Sequence, residues 1–216
     1  MDIVRIAVGS VDVDLIGDDR ICQHIRKGES FEPKTLNMWA HWCVHASLVG
    51  QGVLDIGAYS GLFSIAAAKL GAVPMAFEPQ PNMVARIAEN KNLNNVNFEV
   101  IDAAASDETG VARLGVNGNV HLTSGASLLR KSGGGIDVST IRLDDLPIAS
   151  CAAIKIDVER AEVKVLRGAK ALVARFKPRL LIEALDADAR AAIEAELPDY
   201  HVHRVLDARN LMMLPN

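Results

Sequence analysis

Short apolar runs alternate with longer mixed segments along most of this chain. The runs have the length of buried strands, and the segments between them have the spacing of amphipathic helices. We expect strands at Val53–Ile56, Val73–Phe77, Asn97–Ile101, Ala152–Asp157 and Arg179–Leu185. The expected helices are Ser60–Leu70, a segment from Pro81, a segment ending near Arg175, and Ala187–Leu197. This alternation predicts an α/β, doubly wound domain with a mostly parallel sheet.

The end of the chain departs from this alternation. Two apolar runs, Tyr200–Leu206 and Leu211–Leu214, are separated only by a tight turn at Asp207–Asn210. So short a connection joins antiparallel strands. The sequence therefore predicts a seven-stranded sheet with an antiparallel last strand.

A second departure lies between the third and fourth predicted strands of the sheet. Val111–Val116 and Ile136–Leu143 predict an inserted hairpin around the Gly/Ser-rich loop Asn117–Gly135. Structureless loops of this length are uncommon in compact domains, so this loop is expected to be either functional or mobile.

Residues 1–50 are predicted to form an N-terminal segment of strands and a helix that precedes the alternating core. The strands Ile3–Val8 and Val11–Gly17 are followed by a helix at Leu36–Val49. Its candidate buried positions are Trp39, Trp42, Val44 and Leu48. Residues 51–216 would form the catalytic core. At 216 residues, we expect one domain over the whole chain.

The stretch VLDIGAYSG, Val53 to Gly61, is the first candidate for chemistry. It joins a strand to a helix, and Glu78 follows the next strand, where doubly wound folds bind the ribose hydroxyls of a nucleoside. The G-x-G of dinucleotide loops is absent, and the carboxylate of Asp55 just before Gly57 would repel a pyrophosphate. That arrangement suits the cationic tail of S-adenosylmethionine, so a dehydrogenase is not favoured.

Charge and composition limit the partners. The formal net charge is −4 with acids and bases interspersed, which does not favour nucleic acid or an anionic membrane as a partner. The three cysteines are scattered, and neither a long apolar run nor a signal segment stands out. We therefore expect a cytoplasmic protein with reduced thiols.

A second motif is AIKIDVERAEVKVLRGAKALV, Ala153 to Val173. It resembles the pattern I-K-I-D-V-E-G-x-E-x-x-V-L-x-G-A of the FkbM family of methyltransferases, and five further segments follow that family's order and spacing. These segments are VLDIGAYSG, AFEPQPN, DAAASDETG, SGASL and IRLDDL. The resemblance implies the Rossmann-like class I methyltransferase fold, with S-adenosylmethionine as cofactor.

What the resemblance implies about the reaction is O-methylation. The acceptor would be a hydroxylated small molecule such as a sugar or a polyketide, although the family's acceptors are too diverse to name one. The alternatives are an N-methyltransferase and a cofactor-binding partner subunit without catalysis. No pattern indicates the oligomeric state.

The chain departs from the family pattern at three positions. Arg160 stands where glycine is usual, Tyr59 where asparagine is typical, and Asp102 where asparagine is frequent. Arg160 would either supply a cation for an acidic acceptor or point to solvent at a helix start.

Ten residues are candidates for binding the cofactor. They follow the first four strands of the predicted sheet, at the edge where such folds place ligands. The methionine end, ribose and adenine would contact Asp55, Gly57, Ala58, Tyr59, Gly61, Glu78, Pro79, Asp102, Ala103 and Asp157.

Removal of the acceptor proton requires a base close to the transferred methyl group. Asp157 is the first candidate, although it could instead cap the next helix or only hold the hydroxyl. Glu159 could face the same pocket, and His121 is an alternative base if its loop covers the site. Lys155 lies within an apolar strand, so we expect it to meet a carboxylate, Glu183 or Asp55.

A divalent metal ion that binds the acceptor oxygens is an alternative that we do not favour. The position next to Glu183 that would supply a third ligand holds Ala184, which has no ligating group.

Overall fold

The computed structural model describes residues 2–17, 19–115 and 135–216. Its strands, numbered in chain order, are β1 (Ile3–Val8), β2 (Val11–Ile16), β3 (Gly52–Ile56), β4 (Val73–Phe77), β5 (Glu99–Ile101), β6 (Ala104–Ala105), β7 (Gly110–Gly115), β8 (Gly135–Ile141), β9 (Ala153–Ile156), β10 (Arg179–Glu183), β11 (Tyr200–Leu206) and β12 (Asn210–Pro215). Its α-helices are α1 (Arg20–Arg26), α2 (Pro33–Leu48), α3 (Leu62–Lys69), α4 (Pro81–Leu93), α5 (Glu162–Arg167), α6 (Lys170–Phe176) and α7 (Ala187–Glu196).

The main sheet has seven strands in the order β11-β12-β10-β9-β3-β4-β5. Its neighbours are parallel except at β12, which runs antiparallel to both β10 and β11. The predicted α/β sheet with an antiparallel last strand is therefore confirmed. From β3 the chain adds strands in one direction and from β9 in the other, which creates the crevice where such sheets bind ligands.

Successive residues of β3 point to opposite faces of this sheet. Val53 packs in the apolar cluster that includes α2 and α3, whereas Leu54 and Ile56 pack in the cluster that includes α5, α6 and α7. Because the side-chain period of a strand is two, Asp55 lies on the same face as Val53. Its register partner in β9 is Lys155. Two buried charged residues thus lie side by side on one face of the sheet.

Two smaller sheets accompany the main one. β7 and β8 form the predicted inserted hairpin, and the short strand β6, which the sequence did not predict, pairs with β8. Residues 116–134 of the loop between β7 and β8 lie outside the described residues. β1 and β2 form an antiparallel hairpin, as predicted.

Side chains of α4 fasten this N-terminal hairpin to the core. Asn94 Oδ1 accepts a hydrogen bond from the Asp14 amide at 2.9 Å, and Asn90 Oδ1 accepts one from the Ile16 amide at 3.0 Å. Both amides lie on β2, whose outer backbone groups these two side chains satisfy. The segment that follows β2 is thereby held close to the carboxyl edge of the main sheet.

That segment contains α1, which the sequence analysis missed. With seven residues, the helix is too short for a clear periodic signal. It begins where the Asp19 side chain accepts a hydrogen bond from the Cys22 amide at 2.8 Å. Ile21 and Cys22 bury its inner side.

The structure also corrects one helix boundary. The single helix expected to end near Arg175 is two helices, α5 and α6, separated at Gly168. A Cβ atom at Gly168 would lie 1.9 Å from the Ser106 carbonyl oxygen, so the backbone at Gly168 is in contact with the backbone at Ser106. This packing against a distant segment is not visible in the local sequence.

Candidate active site

A cavity of about 180 Å³ opens at the carboxyl edge of the main sheet. It lies at the ends of β3 and β9. Residues at or just after the ends of β3, β4, β9 and β10 contribute to its wall. One part carries mostly backbone and apolar groups, and the other carries carboxylates around a lysine. We call these the cofactor side (residues 56–59, 77–80 and 103–105) and the acceptor side (Lys155, Asp157, Glu159 and Glu183).

Most of the predicted cofactor-binding residues line this cavity. They are Gly57, Ala58, Tyr59, Glu78, Pro79, Ala103 and Asp157. Asp55 and Gly61 are buried beneath the loop and do not contribute to the wall, and Asp102 is exposed beside it. Of the three predicted catalytic residues, Asp157 and Glu159 line the cavity. His121 lies outside the described residues.

Glu78 holds two loops together at the end of β4. Its Oε2 atom accepts a hydrogen bond from the Tyr59 amide at 2.8 Å, and Oε1 accepts one from the Gln80 amide at 3.0 Å. Its burial raises the pKa of its carboxyl group to about 7, against the effect of these two amides. The Gln80 side chain also donates to this carboxyl group, which leaves about one of its four lone pairs for a donor from the cavity.

Gly57 is required by the close approach of two strand ends. Its φ is +82°, and an added Cβ atom would lie 1.9 Å from the Asp157 carbonyl oxygen. The Asp157 amide also donates to the Ile56 carbonyl at 2.9 Å. The glycine loop and the end of β9 are therefore in backbone contact.

Tyr59 occupies a second left-handed position of this loop, with φ +53°. Asparagine tolerates this conformation better than tyrosine does, which explains the residue expected there. The Tyr59 hydroxyl accepts a hydrogen bond from the Arg20 amide at 3.3 Å. The side chain thus connects the loop to α1, which an asparagine would be too short to do.

Asp55 and Lys155 form the floor below the loop. Asp55 Oδ2 accepts a hydrogen bond from Ser64 Oγ at 2.6 Å, and its Oδ1 atom is buried with no hydrogen-bond partner among the described residues. Burial raises the pKa of this carboxyl group, although the nearby Lys155 opposes the shift. The Lys155 ammonium lies 4.3 Å from the centre of the Phe63 ring, a cation–π contact.

The partner of Lys155 differs from both residues that we expected. Its Nζ atom lies 2.9 Å from Oδ2 of Asp157, two residues further along the chain. The carboxylates of Asp157, Glu32 and Asp55 raise the lysine's pKa against its burial. The charged ammonium group of Lys155 therefore lies within the acceptor side, where it compensates the charge of Asp157.

The loop after Asp157 is strained at two consecutive residues. Glu159 and Arg160 have φ values of +51° and +80°. The family's glycine adopts such a backbone without a steric penalty, whereas an arginine does not. Glu162 stabilises the turn, since its Oε1 atom accepts a hydrogen bond from the Arg160 amide at 2.9 Å.

The Arg160 side chain itself turns away from the cavity. Its guanidinium lies 3.2 Å from Asp186 Oδ2 at the start of α7, and the residue is exposed. It does not line the cavity wall. Of the two alternatives for Arg160, the structure therefore favours the surface position over a cation for the acceptor.

The N-terminal segment supplies part of the wall that the sequence analysis did not anticipate. Arg20 and Ile21 of α1, and Phe31 and Glu32 before α2, all line the cavity. Glu32 Oε2 is buried with no hydrogen-bond partner among the described residues, and burial raises the pKa of this carboxyl group. No motif marks these residues, because only the tertiary fold brings them to the site.

Two kinds of feature are absent from the part of the chain that the structure describes. Within residues 2–17, 19–115 and 135–216, no three His, Cys, Asp or Glu side chains are grouped so that they could hold a metal ion. Over the same part of the chain, no helix has both the length and the apolar character needed to cross a membrane.

A family model and a curated relative are similar to this chain. The model of the methyltransferase FkbM domain matches residues 55–207. The 31-O-demethyl-FK506 methyltransferase FkbM of Streptomyces tacrolimicus is 32% identical over 154 residues, which cover 55% of this chain and 59% of the relative. The chain thus matches little more than half of that relative's length.

Solved structures with the same fold include two methyltransferases. The FkbM methyltransferase of Methylobacillus flagellatus KT has a TM-score of 0.51 at 20% identity, covering 77% of this chain and 43% of the other. The magnesium protoporphyrin IX methyltransferase of Synechocystis PCC 6803 was solved with bound S-adenosylmethionine. It has a TM-score of 0.55 at 15% identity, covering 91% and 84% of the two chains.

Proposed function

The chain belongs to the FkbM methyltransferase family, and from this premise we propose that it moves a methyl group from S-adenosylmethionine to a hydroxyl oxygen of a small metabolite or sugar. The observation that carries this proposal is that one cavity joins the loops around the buried Glu78 to the carboxylates of the acceptor side. The O-methyltransferase relative from Streptomyces tacrolimicus supports the choice of oxygen as the acceptor atom.

The cofactor side fits the nucleoside part of S-adenosylmethionine. Besides the two amides and the Gln80 side chain, the Glu78 carboxylate can still accept a hydrogen bond from a ribose hydroxyl. Beside this carboxylate, Phe77, Ala103 and Ala104 provide apolar groups against which an adenine ring would pack. We assign these groups to the adenosine.

The buried Asp55 carboxylate fits the other end of the cofactor. Its Oδ1 atom lacks a partner among the described residues, and an unsatisfied buried acceptor is costly. The ammonium group of the methionine tail would compensate that charge from across the glycine loop, since Asp55 lies beneath the cavity wall. Gly57 allows the loop backbone to approach the ligand closely because it carries no side chain.

The acceptor side provides what the reaction requires of the protein. S-adenosylmethionine supplies a methyl group on a positively charged sulfur, which is already activated for displacement. The chain must align the acceptor oxygen with that group and remove the hydroxyl proton. Asp157 lines the cavity next to the glycine loop and can accept a hydrogen bond from the hydroxyl.

The first test is ligand-dependent thermal unfolding with S-adenosylhomocysteine and, separately, with NAD. Ligand at 100 times its dissociation constant stabilises a folded protein by about 2.7 kcal/mol, which gives a clear increase in the unfolding midpoint. We expect an increase with S-adenosylhomocysteine alone. No increase at a saturating concentration would contradict the proposed cofactor.

The second test addresses the methyl transfer itself. Sugars, polyols and hydroxylated polyketides are incubated with S-adenosylmethionine that carries a deuterated methyl group, and the products are analysed by mass spectrometry. We expect the label on oxygen for at least one acceptor. Label on nitrogen would support the alternative N-methyltransferase, and cofactor binding without any transfer would support a non-catalytic partner subunit.

A further inference from the structure

Glu183 is the last residue of β10 and Asp157 directly follows β9, so both lie at the same edge of the sheet. β9 and β10 are parallel with Ile156 opposite Ile182, so the next residue of each strand faces the cavity at the same level. Because both carboxyl groups line the same cavity, the negative charge of Asp157 opposes ionisation of Glu183 and raises its pKa.

The two members of this pair have different surroundings. Lys155 Nζ contacts Asp157 Oδ2 at 2.9 Å, so the charge of Asp157 is compensated. For Glu183, the ion pair among the described residues is a longer one, 4.0 Å to the largely exposed Arg209. The Glu183 side chain is itself only 12% exposed. Of the two carboxyl groups, Glu183 is therefore the one whose negative charge is less well compensated.

We propose that Glu183 accepts the proton of the acceptor hydroxyl while Asp157 holds that hydroxyl in place, an inference that rests on the proposed function. In the transfer, the acceptor oxygen forms a bond to the methyl carbon. The bond between that carbon and sulfur breaks, and its electron pair stays on sulfur. The hydroxyl proton moves to a carboxylate oxygen of Glu183, which later releases it to solvent.

Burial and the neighbouring charges raise the pKa of Glu183. Burial has the largest effect, and the carboxylates of Asp157 and Glu159 add to it, so the pKa of Glu183 is raised to about 8. Lys155 opposes this shift, and Arg209 is the cation on the facing turn. Above this pH Glu183 is ionised and able to take a proton, whereas Asp157 stays tied to Lys155.

Glu159 is less suited to the same task. Burial and the carboxylate of Asp157 raise the pKa of Glu159 as well, but three arginines, Arg20, Arg209 and Arg160, oppose this shift. A carboxylate stabilised by several cations is a weaker base than one that faces like charges.

The test uses two ligands that differ only at the reacting centre. Sinefungin carries an amine-bearing carbon where the cofactor has sulfur and its methyl group, and S-adenosylhomocysteine has only the sulfur there. The ratio of their affinities, measured by calorimetry from about pH 6.5 to about pH 9, reports the charge that faces the methyl position. Ionised Glu183 should attract the ammonium group of sinefungin.

We expect the preference for sinefungin to rise about tenfold with increasing pH, with a midpoint near the pKa of Glu183, about 8. In Glu183→Gln the rise should disappear while S-adenosylhomocysteine still binds. The matched control is Glu196→Gln, a carboxylate that pairs with Arg167 and Lys170 outside the cavity, and it should behave as the unmodified protein.

The other possible results distinguish an error in the role of Glu183 from an error in the proposed function. A ratio that does not change with pH, or a rise that persists in Glu183→Gln and disappears in Asp157→Asn, would overturn the role of Glu183. Failure of the unmodified protein to bind S-adenosylhomocysteine would instead contradict the proposed function. Binding of S-adenosylhomocysteine by Glu183→Gln also shows that this variant is folded.

Discussion

The two sides of the cavity are built in different ways. On the cofactor side, the groups come from residues 56 to 105, and backbone amides satisfy Glu78. On the acceptor side, carboxylates at the ends of β9 and β10 lie near Lys155, and wall residues from α1 and from the segment before α2 join them. The first side is local in sequence and stabilised by backbone contacts. The second depends on long-range packing and on the balance of buried charges.

The largest effect is expected where the two sides touch, at Gly57. Gly57→Ala places a Cβ atom against the Asp157 carbonyl and requires an alanine at φ +82°. We expect a loss of about 4 kcal/mol of unfolding free energy, measured by urea denaturation. The control is Gly110→Ala, since nothing lies within 4 Å of a Cβ atom there. Similar stabilities of both variants would show that the two sides do not touch as described.

A somewhat smaller loss is expected from removing the cation of the acceptor side. Lys155→Met leaves Asp157, Asp55 and Glu32 without their buried counter-charge. Breaking a buried pair in this way costs about 3 kcal/mol, and the loss should diminish in acid as the carboxylates become protonated. Lys170→Met, at a largely exposed lysine, is the control. A loss that does not depend on pH would contradict the charge balance proposed here.

The corresponding change on the cofactor side should affect binding more than stability. Glu78→Gln retains one acceptor oxygen and loses the other, so the affinity for S-adenosylhomocysteine should fall about tenfold to 100-fold, the cost of one or two charged hydrogen bonds. Calorimetric titration measures it, with the exposed Glu99→Gln as the control. Unchanged affinity would remove Glu78 from the ribose site.

Glu78 should also affect the pH dependence of stability. Its pKa is raised by burial to about 7 in the folded state, from the ordinary value of 4.5. The folded protein therefore binds this proton more tightly, and its stability should decrease as the pH rises from 4.5 to 7. Glu78→Gln should lack this part of the decrease. Parallel curves for the two proteins would contradict the burial of the carboxyl group.

The smallest effect should come from the strained turn of the acceptor side. Arg160→Gly and Arg160→Ala both lose the ion pair with Asp186, but only glycine adopts φ +80° freely. The glycine variant should be more stable than the alanine variant by about 1 kcal/mol, as measured by urea denaturation. Equal stability of the two variants would mean that the turn is not strained.

The same contrast explains how much the sequence could predict. The main sheet and the glycine loop followed from apolar periodicity and from glycine spacing, since both are local properties of the chain. Glu78 and Asp157 were recognised because each stands directly after a predicted strand. Positions within an element were harder, since Val44 and Leu48 of α2, expected to be buried, are 42% and 82% exposed.

The acceptor side was predicted less completely. Lys155 was expected to contact Glu183 or Asp55. Its observed partner is Asp157, two residues further along the chain, and this choice depends on the side-chain positions at the strand end. Arg20, Phe31 and Glu32 reach the wall only through the packing of the N-terminal hairpin on α4. These three residues also lie outside the range that the family model matches.

The most direct test of the account is one calorimetric titration with S-adenosylhomocysteine, carried out on three proteins at the same pH. We expect one-to-one binding by the unmodified chain, similar affinity in Glu183→Gln and much weaker binding in Glu78→Gln. That result would assign the cofactor to the side that contains Glu78 and leave Glu183 for the acceptor. No binding by the unmodified chain, or equal affinity of all three proteins, would contradict the account.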